Sequence, residues 1–228
     1  MAKMEQSTGI DKPEEMARMA LERQGLYRLL ATVFRSEIKR DLLHELLSPE
    51  YLEVLTTAGI DTRELVSLKP NETLLNDLSL EYSRLFIGPG HHVSPYESVH
   101  CGINGGSLWG KETSAVKKFI EGLGFKYEKD FHGLPDHISV ELEFMAHMTD
   151  LEAEAWSNDD EKTALILLGR QNEFLGTHLG KWIGPFCDQV TELAEGPVYR
   201  LFAILTRDFV AADQRDLSRL DAELKQQH

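Results

Sequence analysis

Apolar positions along the chain recur mainly at three- and four-residue spacing. Leu26, Leu30 and Phe34 follow this spacing downstream of Pro13, which predicts a long amphipathic helix that ends near residue 35. The same pattern, with capping residues at several starts, predicts further helices over residues 41–47, 49–59, 71–86, 111–123, 136–156, 160–175, 177–193, 197–211 and 214–226. Because no stretch alternates apolar and polar residues convincingly, the sequence predicts an all-α, bundle-like fold of about ten helices.

The helices are predicted to form one compact domain over residues 1–228. A loop near residues 125–136 divides the domain into an N-terminal helical half, 1–130, and a C-terminal helical half, 136–228. This loop is short and contains the apolar residues Phe131 and Leu134, so we expect a hinge within one packed unit and not a linker between independent domains.

A second irregular segment begins where the helix over 71–86 stops. The stop is Gly88-Pro89-Gly90, and neither helical nor strand periodicity returns before Gly110. A loop of this length is usually functional or disordered, and glycine and proline fix its turns. We therefore expect the segment to present side chains to a partner.

Charge narrows the range of partners. The 228 residues carry a formal net charge of -14, with 42% hydrophobic and 27% charged residues. Binding to nucleic acid or to an anionic membrane needs clustered Lys and Arg, so both are disfavoured. The acidity favours a basic partner, although it also promotes solubility in general. No window approaches 18 apolar residues. We therefore expect a cytoplasmic protein with no stable membrane insertion.

Metal and thiol chemistry have little support. Cys101 and Cys187 lie far apart and form no C-x-x-C motif, so free thiols are the simpler expectation and a disulfide stays open. His137 and Glu141 share one helix face at a ligand-like spacing. Asp136 is expected to cap that helix, while the other two pair with each other or anchor the loop. A third ligand would have to come from His91, His92, His132 or His147, and no pattern places any of them nearby. No metal is expected.

A nucleotide site is the alternative function. Gly105, Gly110 and Lys111 nearly match the spacing of a phosphate-binding P-loop. The next residue, however, is Glu112 where Ser or Thr should bind magnesium, and no strand precedes the loop. Weak phosphate binding at the following helix N-terminus stays open. No nucleophile motif such as G-x-S-x-G occurs, so nucleophilic catalysis has no support in the sequence.

Nine acidic residues and no Lys or Arg lie between Asp136 and Glu161. Glu143, Asp150 and Glu154 fall close to one face of the predicted helix. Apolar side chains elsewhere on the same helix are Ile138, Leu142, Met145 and Leu151. The acids either form a solvated outer face or an acidic rim that attracts an arginine-bearing peptide beside an apolar surface.

Four short motifs follow one another along the chain, and each alone is weak. They are Glu81-Tyr82-x-x-Leu85-Phe86, Gly88-Pro89-Gly90, Pro95-Tyr96-Glu97-Ser98 and Asp136-His137-Ile138-x-x-Glu141-Leu142-x-Phe144-Met145. In this order, and with the helical pattern from about residue 14 to 212, the chain resembles the TorD/DmsD family of redox-enzyme maturation chaperones. That family is related more distantly to the NarJ-type nitrate reductase chaperones.

The resemblance implies an all-helical protein without intrinsic catalysis. Such proteins bind the twin-arginine signal peptide and the apo catalytic subunit of a molybdopterin-dependent oxidoreductase, assist insertion of the molybdenum cofactor, and delay export until the subunit is folded. Proteins of molybdenum cofactor biosynthesis are further implied partners. Residues that would form or support the peptide-binding region are Tyr82, Leu85, Phe86, Gly88, Pro89, Gly90, Pro95, Tyr96, Glu97, Ser98, Asp136, His137 and Glu141.

No cofactor is expected. Weak guanine nucleotide binding stays open, because some relatives of the family bind it, and the resemblance implies either a monomer or a domain-swapped dimer. At two positions the chain departs from the pattern of the family, and these differences bear on which client it binds. This chain has Ser94-Pro95 where relatives often have two prolines, and His100 where they often have an aromatic residue. The sequence does not name the client oxidoreductase.

Overall fold

The computed structural model describes residues 12–57, 59–101, 106–127 and 133–226. These residues form eleven α-helices and, within the same ranges, no β-strand, which confirms the all-α prediction. The helices are α1 (Lys12–Arg35), α2 (Arg40–Leu46), α3 (Pro49–Thr57), α4 (Arg63–Val66), α5 (Glu72–Tyr82), α6 (Glu97–Cys101), α7 (Lys111–Gly122), α8 (Ile138–Ser157), α9 (Glu161–Thr177), α10 (Leu179–Leu193) and α11 (Pro197–Gln226). None of the described helices combines the length and the apolar character needed to cross a membrane.

The differences from the predicted helices have local causes. Helices α4 and α6 are only four and five residues long, too short for a periodic pattern to reveal. The two helices predicted over 197–211 and 214–226 are one continuous helix, α11. Asp213 interrupts the apolar pattern at that point, but it is buried and binds residues of α1 instead of ending a helix.

Helix α8 is the centre of the bundle. Thirteen of its 20 side chains are buried, and the exposed ones, among them Asp150, Leu151 and Glu154, fall on one narrow stripe, as expected for a helix packed against others over most of its circumference. Ile138, Leu142 and Met145 are fully buried in the core. The expectation that these three offer an apolar surface to a peptide is therefore wrong, and only Leu151 of that set is exposed.

A buried ion-pair network joins α1 to three helices of the C-terminal half. The Arg23 guanidinium donates to Asp213 on α11 (2.6 Å), to Glu152 on α8 (2.8 Å) and to Gln171 on α9. The Tyr27 hydroxyl donates to the other Asp213 oxygen at 2.6 Å. Each charge in this network thus has a partner, which the low dielectric of the interior requires. The hinge segment 128–132 lies outside the described residues, so a domain-swapped dimer stays a prediction.

Candidate functional site

The first sequence motif ends α5 inside the core. Tyr82, Leu85 and Phe86 are buried, and the Tyr82 hydroxyl donates to the backbone carbonyl of Phe34 at 3.2 Å. The Phe86 ring lies edge-on to Phe34, with centroids 6.0 Å apart, and stacks on Phe186 at 6.1 Å. These side chains hold α5 against α1 and α10, and none of the three is available to a surface ligand in this conformation.

Gly88-Pro89-Gly90 ends the helical run, as predicted. Residues Ser83–Ile87 form a π-helical turn that continues α5, and the Gly88 N–H donates to the Ser83 carbonyl at 2.7 Å. The Leu85 carbonyl accepts from the Val93 N–H at 2.7 Å, which folds the loop back onto the helix end. Between the helix end and Val93, the exposed residues are Ile87, Pro89, Gly90, His91 and His92.

The third and fourth motifs contact each other directly. The Ile138 N–H donates to the Pro95 carbonyl at 2.9 Å, and the Glu97 N–H donates to the Asp136 carbonyl at 3.0 Å. The buried Asp136 carboxylate accepts from the Ser98 N–H at 3.0 Å. Asp136 therefore fixes the first turn of α6 and does not cap α8, so the predicted cap is wrong.

His137 is the residue that caps α8. Its Nδ1 accepts from the Ser139 N–H at 3.1 Å, and its ring lies edge-on to Tyr96, with centroids 5.0 Å apart. Burial lowers the pKa of His137 to about 4, even though the charge of Asp136 opposes the shift. The imidazole is therefore neutral at pH 7, which is the state that a hydrogen-bond acceptor requires.

Glu141 is buried one helical turn after His137 but does not pair with it. Its Oε2 accepts from the Trp182 indole N–H at 3.2 Å. Glu97 is also buried, and its carboxylate lies 3.1 Å from Nδ1 of His178. Burial first, and then the charge of Glu97, raise the pKa of Glu141 well above its ordinary value. We call Glu97, Ser98, Asp136, Glu141 and His178 the polar cluster.

The polar cluster is a set of carboxylates and a histidine, but it has no metal-ligand geometry. Among the described residues, no group of three or more His, Cys, Asp or Glu side chains could hold a metal ion. His132 lies outside the described ranges. Cys101 and Cys187 are both free thiols, and burial raises the pKa of Cys101 to about 11. The absence of a bound metal stays a prediction.

The predicted nucleotide loop is only partly described, because Gly105 lies outside the described residues. Gly106 packs tightly on α6: a Cβ there would lie 2.1 Å from the Ser98 carbonyl oxygen, and its φ of 39° is unfavourable for other residues. Helix α7 starts at Lys111, with the Glu112 carboxylate beside Gly110. That negative charge opposes a phosphate at this helix N-terminus. Guanine nucleotide binding stays a prediction.

The acidic run from 136 to 161 does not form one continuous rim. Asp136, Glu141 and Glu152 are buried, and Glu143 pairs with Arg35. The acids that remain exposed are Asp150, Glu154, Asp159, Asp160 and Glu161. Five exposed carboxylates at the C-terminal end of α8 and the start of α9 are typical of a solvated face.

A large open cleft lies elsewhere, between α1, the α3–α4 segment and α11. Its volume is 1430 Å³. Its walls are mainly apolar; they include Leu21, Leu26, Leu29, Tyr51, Val54, Leu201, Ile204 and Phe209. Five carboxylates also line it, Glu22, Glu45, Asp61, Glu64 and Asp208, against two arginines, Arg63 and Arg200. Leu21 and Val54 are 51% and 63% exposed, which is unusual for large apolar side chains in adjacent walls.

The sequence interpretation missed this cleft. Its three walls come from residues 21–29, 45–67 and 197–209, and none of these segments carries a motif. One feature of the sequence does point to a second apolar contact: the apolar stripe of α1 is wide, because Leu21 and Leu29 lie beside the positions that enter the core. Such a stripe shows that a second apolar contact exists but not which elements form it.

Comparisons with known proteins find several similar chains. The family model of the nitrate reductase delta subunit matches residues 47–188. The chaperone protein TorD of Shewanella pealeana is 26% identical over 208 residues, which cover 84% of this chain and 87% of that protein. The chaperone protein TorD of Vibrio cholerae serotype O1 is 24% identical over 223 residues, or 92% and 98% of the two chains. A crystal structure of a redox enzyme maturation protein from Archaeoglobus fulgidus aligns with 92% of this chain and 99% of its own, at a TM-score of 0.47 and 21% identity.

The family match covers more than half of the chain, so the chain belongs to the nitrate reductase delta subunit family. This confirms the predicted resemblance to TorD-type chaperones, and the protein is a chaperone of that kind. Its relatives are named as chaperones and not as enzymes. The absence of catalysis in this chain stays a prediction.

Proposed function

We propose that this chaperone binds the twin-arginine signal peptide and the apo catalytic subunit of a molybdopterin-dependent oxidoreductase. It acts in the cytoplasm, assists insertion of the molybdenum cofactor, and delays export until the subunit has folded. Proteins of molybdenum cofactor biosynthesis are the further partners of this step. Membership of the family supports the general role, and the named TorD relatives support a client-specific one.

The observation that carries the proposal is the composition of the open cleft. A twin-arginine signal peptide has a basic end followed by an apolar stretch. The cleft offers apolar walls over a volume of 1430 Å³, with five lining carboxylates against two arginines. The apolar walls supply binding free energy through burial, while Glu45, the lining carboxylate that forms no ion pair among the described residues, attracts and orients a basic segment.

The experiment is a peptide-binding titration with the purified full chain. Fluorescently labelled signal peptides of molybdopterin-dependent oxidoreductases from the source organism are titrated, each against a version with both arginines replaced by lysine. We expect one client peptide to bind, the lysine version to bind more weakly, and added salt to weaken both, since screening reduces charge attraction. If neither any such peptide nor any apo-subunit binds, the proposed function is wrong.

A further inference from the structure

We propose that the apolar segment of the client signal peptide docks in the cleft between α1, the α3–α4 segment and α11, directly over Gly25. The arginine end of the peptide then lies at Glu45 and Tyr51. This inference rests on the proposed function and assigns it a site that none of the sequence motifs contains.

Gly25 is the first observation. It lies in the middle of α1 and lines the cleft, and a Cβ built there would meet nothing within 4 Å. A glycine weakens the interior of a helix relative to alanine, and here no neighbouring residue lies close enough to require the absence of a side chain. Leu21 and Leu29 lie one turn away on either side. The glycine leaves a depression between two leucines, where a partner can approach the backbone closely.

The exposed apolar side chains are the second observation. Leu21 projects from α1 and Val54 from α3, and both line the cleft while remaining mostly exposed. Exposed apolar residues scattered singly are normal, but here they belong to different walls of one concave surface. An occupant that covers them must therefore be apolar where it passes between α1 and α3.

Charge indicates where the basic end lies. Four of the lining carboxylates already have an arginine partner: Glu22 with Arg18, Asp61 with Arg63, Glu64 with Arg200, and Asp208 with Arg207. No ion pair among the described residues involves Glu45. Tyr51 lines the same cleft, and burial first and then the charge of Glu45 raise the pKa of Tyr51 to about 12. A carboxylate beside an aromatic ring fits a planar guanidinium better than an ammonium.

The steric test fills the depression. In Gly25→Leu, the new side chain enters open space in the cleft, while α1 gains a residue that favours helix. The matched control is Gly176→Leu on α9, which is also exposed and also has nothing within 4 Å of an added Cβ. We expect Gly25→Leu to raise the Kd for the client peptide about tenfold or more, whereas Gly176→Leu changes it less than about twofold.

The charge test compares two acids. Glu45→Gln is expected to raise the Kd about threefold and to reduce its salt dependence, because one attractive charge is lost. Glu154→Gln removes an exposed acid of α8, where the sequence predicted an acidic rim, and it should leave both quantities unchanged. Val54→Lys, at an exposed position, provides a second block of the cleft should Gly25→Leu fail to fold. Circular dichroism shows which variants are folded.

The outcomes separate this site from the proposed function. If the unaltered chain binds the peptide and folded Gly25→Leu or Val54→Lys binds it equally well, the cleft is not the site, although the function stands. If Glu154→Gln weakens binding and Glu45→Gln does not, the basic end lies on α8 and the assignment is overturned. If the unaltered chain binds no twin-arginine peptide, the proposed function itself fails.

Discussion

The polar cluster and the open cleft differ in nearly every physical respect. The polar cluster consists of carboxylates, a serine and a histidine that are buried and linked to one another through α6 and α8. The cleft consists mainly of leucine, isoleucine and aromatic side chains that remain open to solvent. The first region is chemically distinctive but closed, whereas the second is chemically ordinary but accessible.

The contrast between these two regions shows how sequence motifs relate to function in this protein. Burying several carboxylates is costly unless each has a specific partner, so the residue types and spacing of the polar cluster are tightly constrained. An apolar cleft places no such demand, since many combinations of leucine, isoleucine and valine line it equally well. Residues that look special in the sequence can therefore be those that the fold needs, while the partner surface carries no motif.

The largest expected effect concerns Asp136, whose carboxylate accepts from the Ser98 N–H inside the protein. Asp136→Ala leaves that donor buried without a partner, and we expect the free energy of unfolding to fall by about 2–3 kcal/mol. Asp136→Asn keeps an acceptor oxygen and should lose less. Denaturant unfolding monitored by circular dichroism measures both. A variant Asp136→Ala that is as stable as the unaltered chain but has lost peptide binding would show that Asp136 contacts the client.

The next effect concerns Glu141, whose folded-state pKa is raised by burial and by Glu97. Such a carboxyl group stabilises the fold fully below its unfolded pKa, about 4.3, and this contribution is lost as the pH rises through the folded-state pKa. Glu141→Gln keeps an acceptor for the Trp182 indole and removes the charge. We expect this variant to be about 1–2 kcal/mol more stable at pH 8, with a smaller difference at pH 5.

Urea unfolding of both proteins across this pH range isolates the contribution of Glu141. Titrating groups that do not interact with Glu141 shift both curves equally, so the difference between the curves reports Glu141 together with its neighbour Glu97. If the free energies of unfolding of the two proteins changed with pH in parallel, the pKa of Glu141 would not be raised in the folded protein. The polar cluster would then be more hydrated than its burial indicates.

The smallest expected effect compares two glycines. Gly25→Ala adds a methyl group in open space on a helix, so the free energy of unfolding should rise by about 0.5–1 kcal/mol. At Gly88 an added Cβ would lie 3.3 Å from the Ser83 carbonyl oxygen, so Gly88→Ala should give no gain or a small loss. Thermal unfolding of both variants measures this. A loss at Gly25 would show that the glycine serves the fold instead of the cleft.

Local signals in the sequence predicted much of the fold. Asn71 caps α5 by accepting from the Leu74 N–H at 2.9 Å, and Asp160 caps α9 by accepting from the Thr163 N–H at 3.1 Å. Each depends on residues three apart, which a sequence displays directly. Asp136 carries the same signal but binds α6 instead, because a contact 38 residues away competes with the local one.

The surroundings of α8 could not be predicted in the same way. Its acids and apolar residues suggested an amphipathic surface helix, but the structure buries most of its side chains, pairs Glu152 with Arg23, and leaves only a narrow stripe that includes Asp150 and Glu154 exposed. The cleft depends even more on tertiary packing, since its walls come from three distant parts of the chain. Periodicity reports which face of a helix is apolar, not which neighbour covers that face.

The most direct measurement is a crosslinking experiment on the complex with a client signal peptide. A photoreactive phenylalanine analogue is placed in the apolar segment of the peptide, the complex is irradiated, and the attachment sites are located by mass spectrometry. We expect crosslinks to α1 near Gly25 and to α11 between residues 197 and 209. Crosslinks confined to residues 87–98 or 136–141 would contradict this assignment and would place the client on the motif segments.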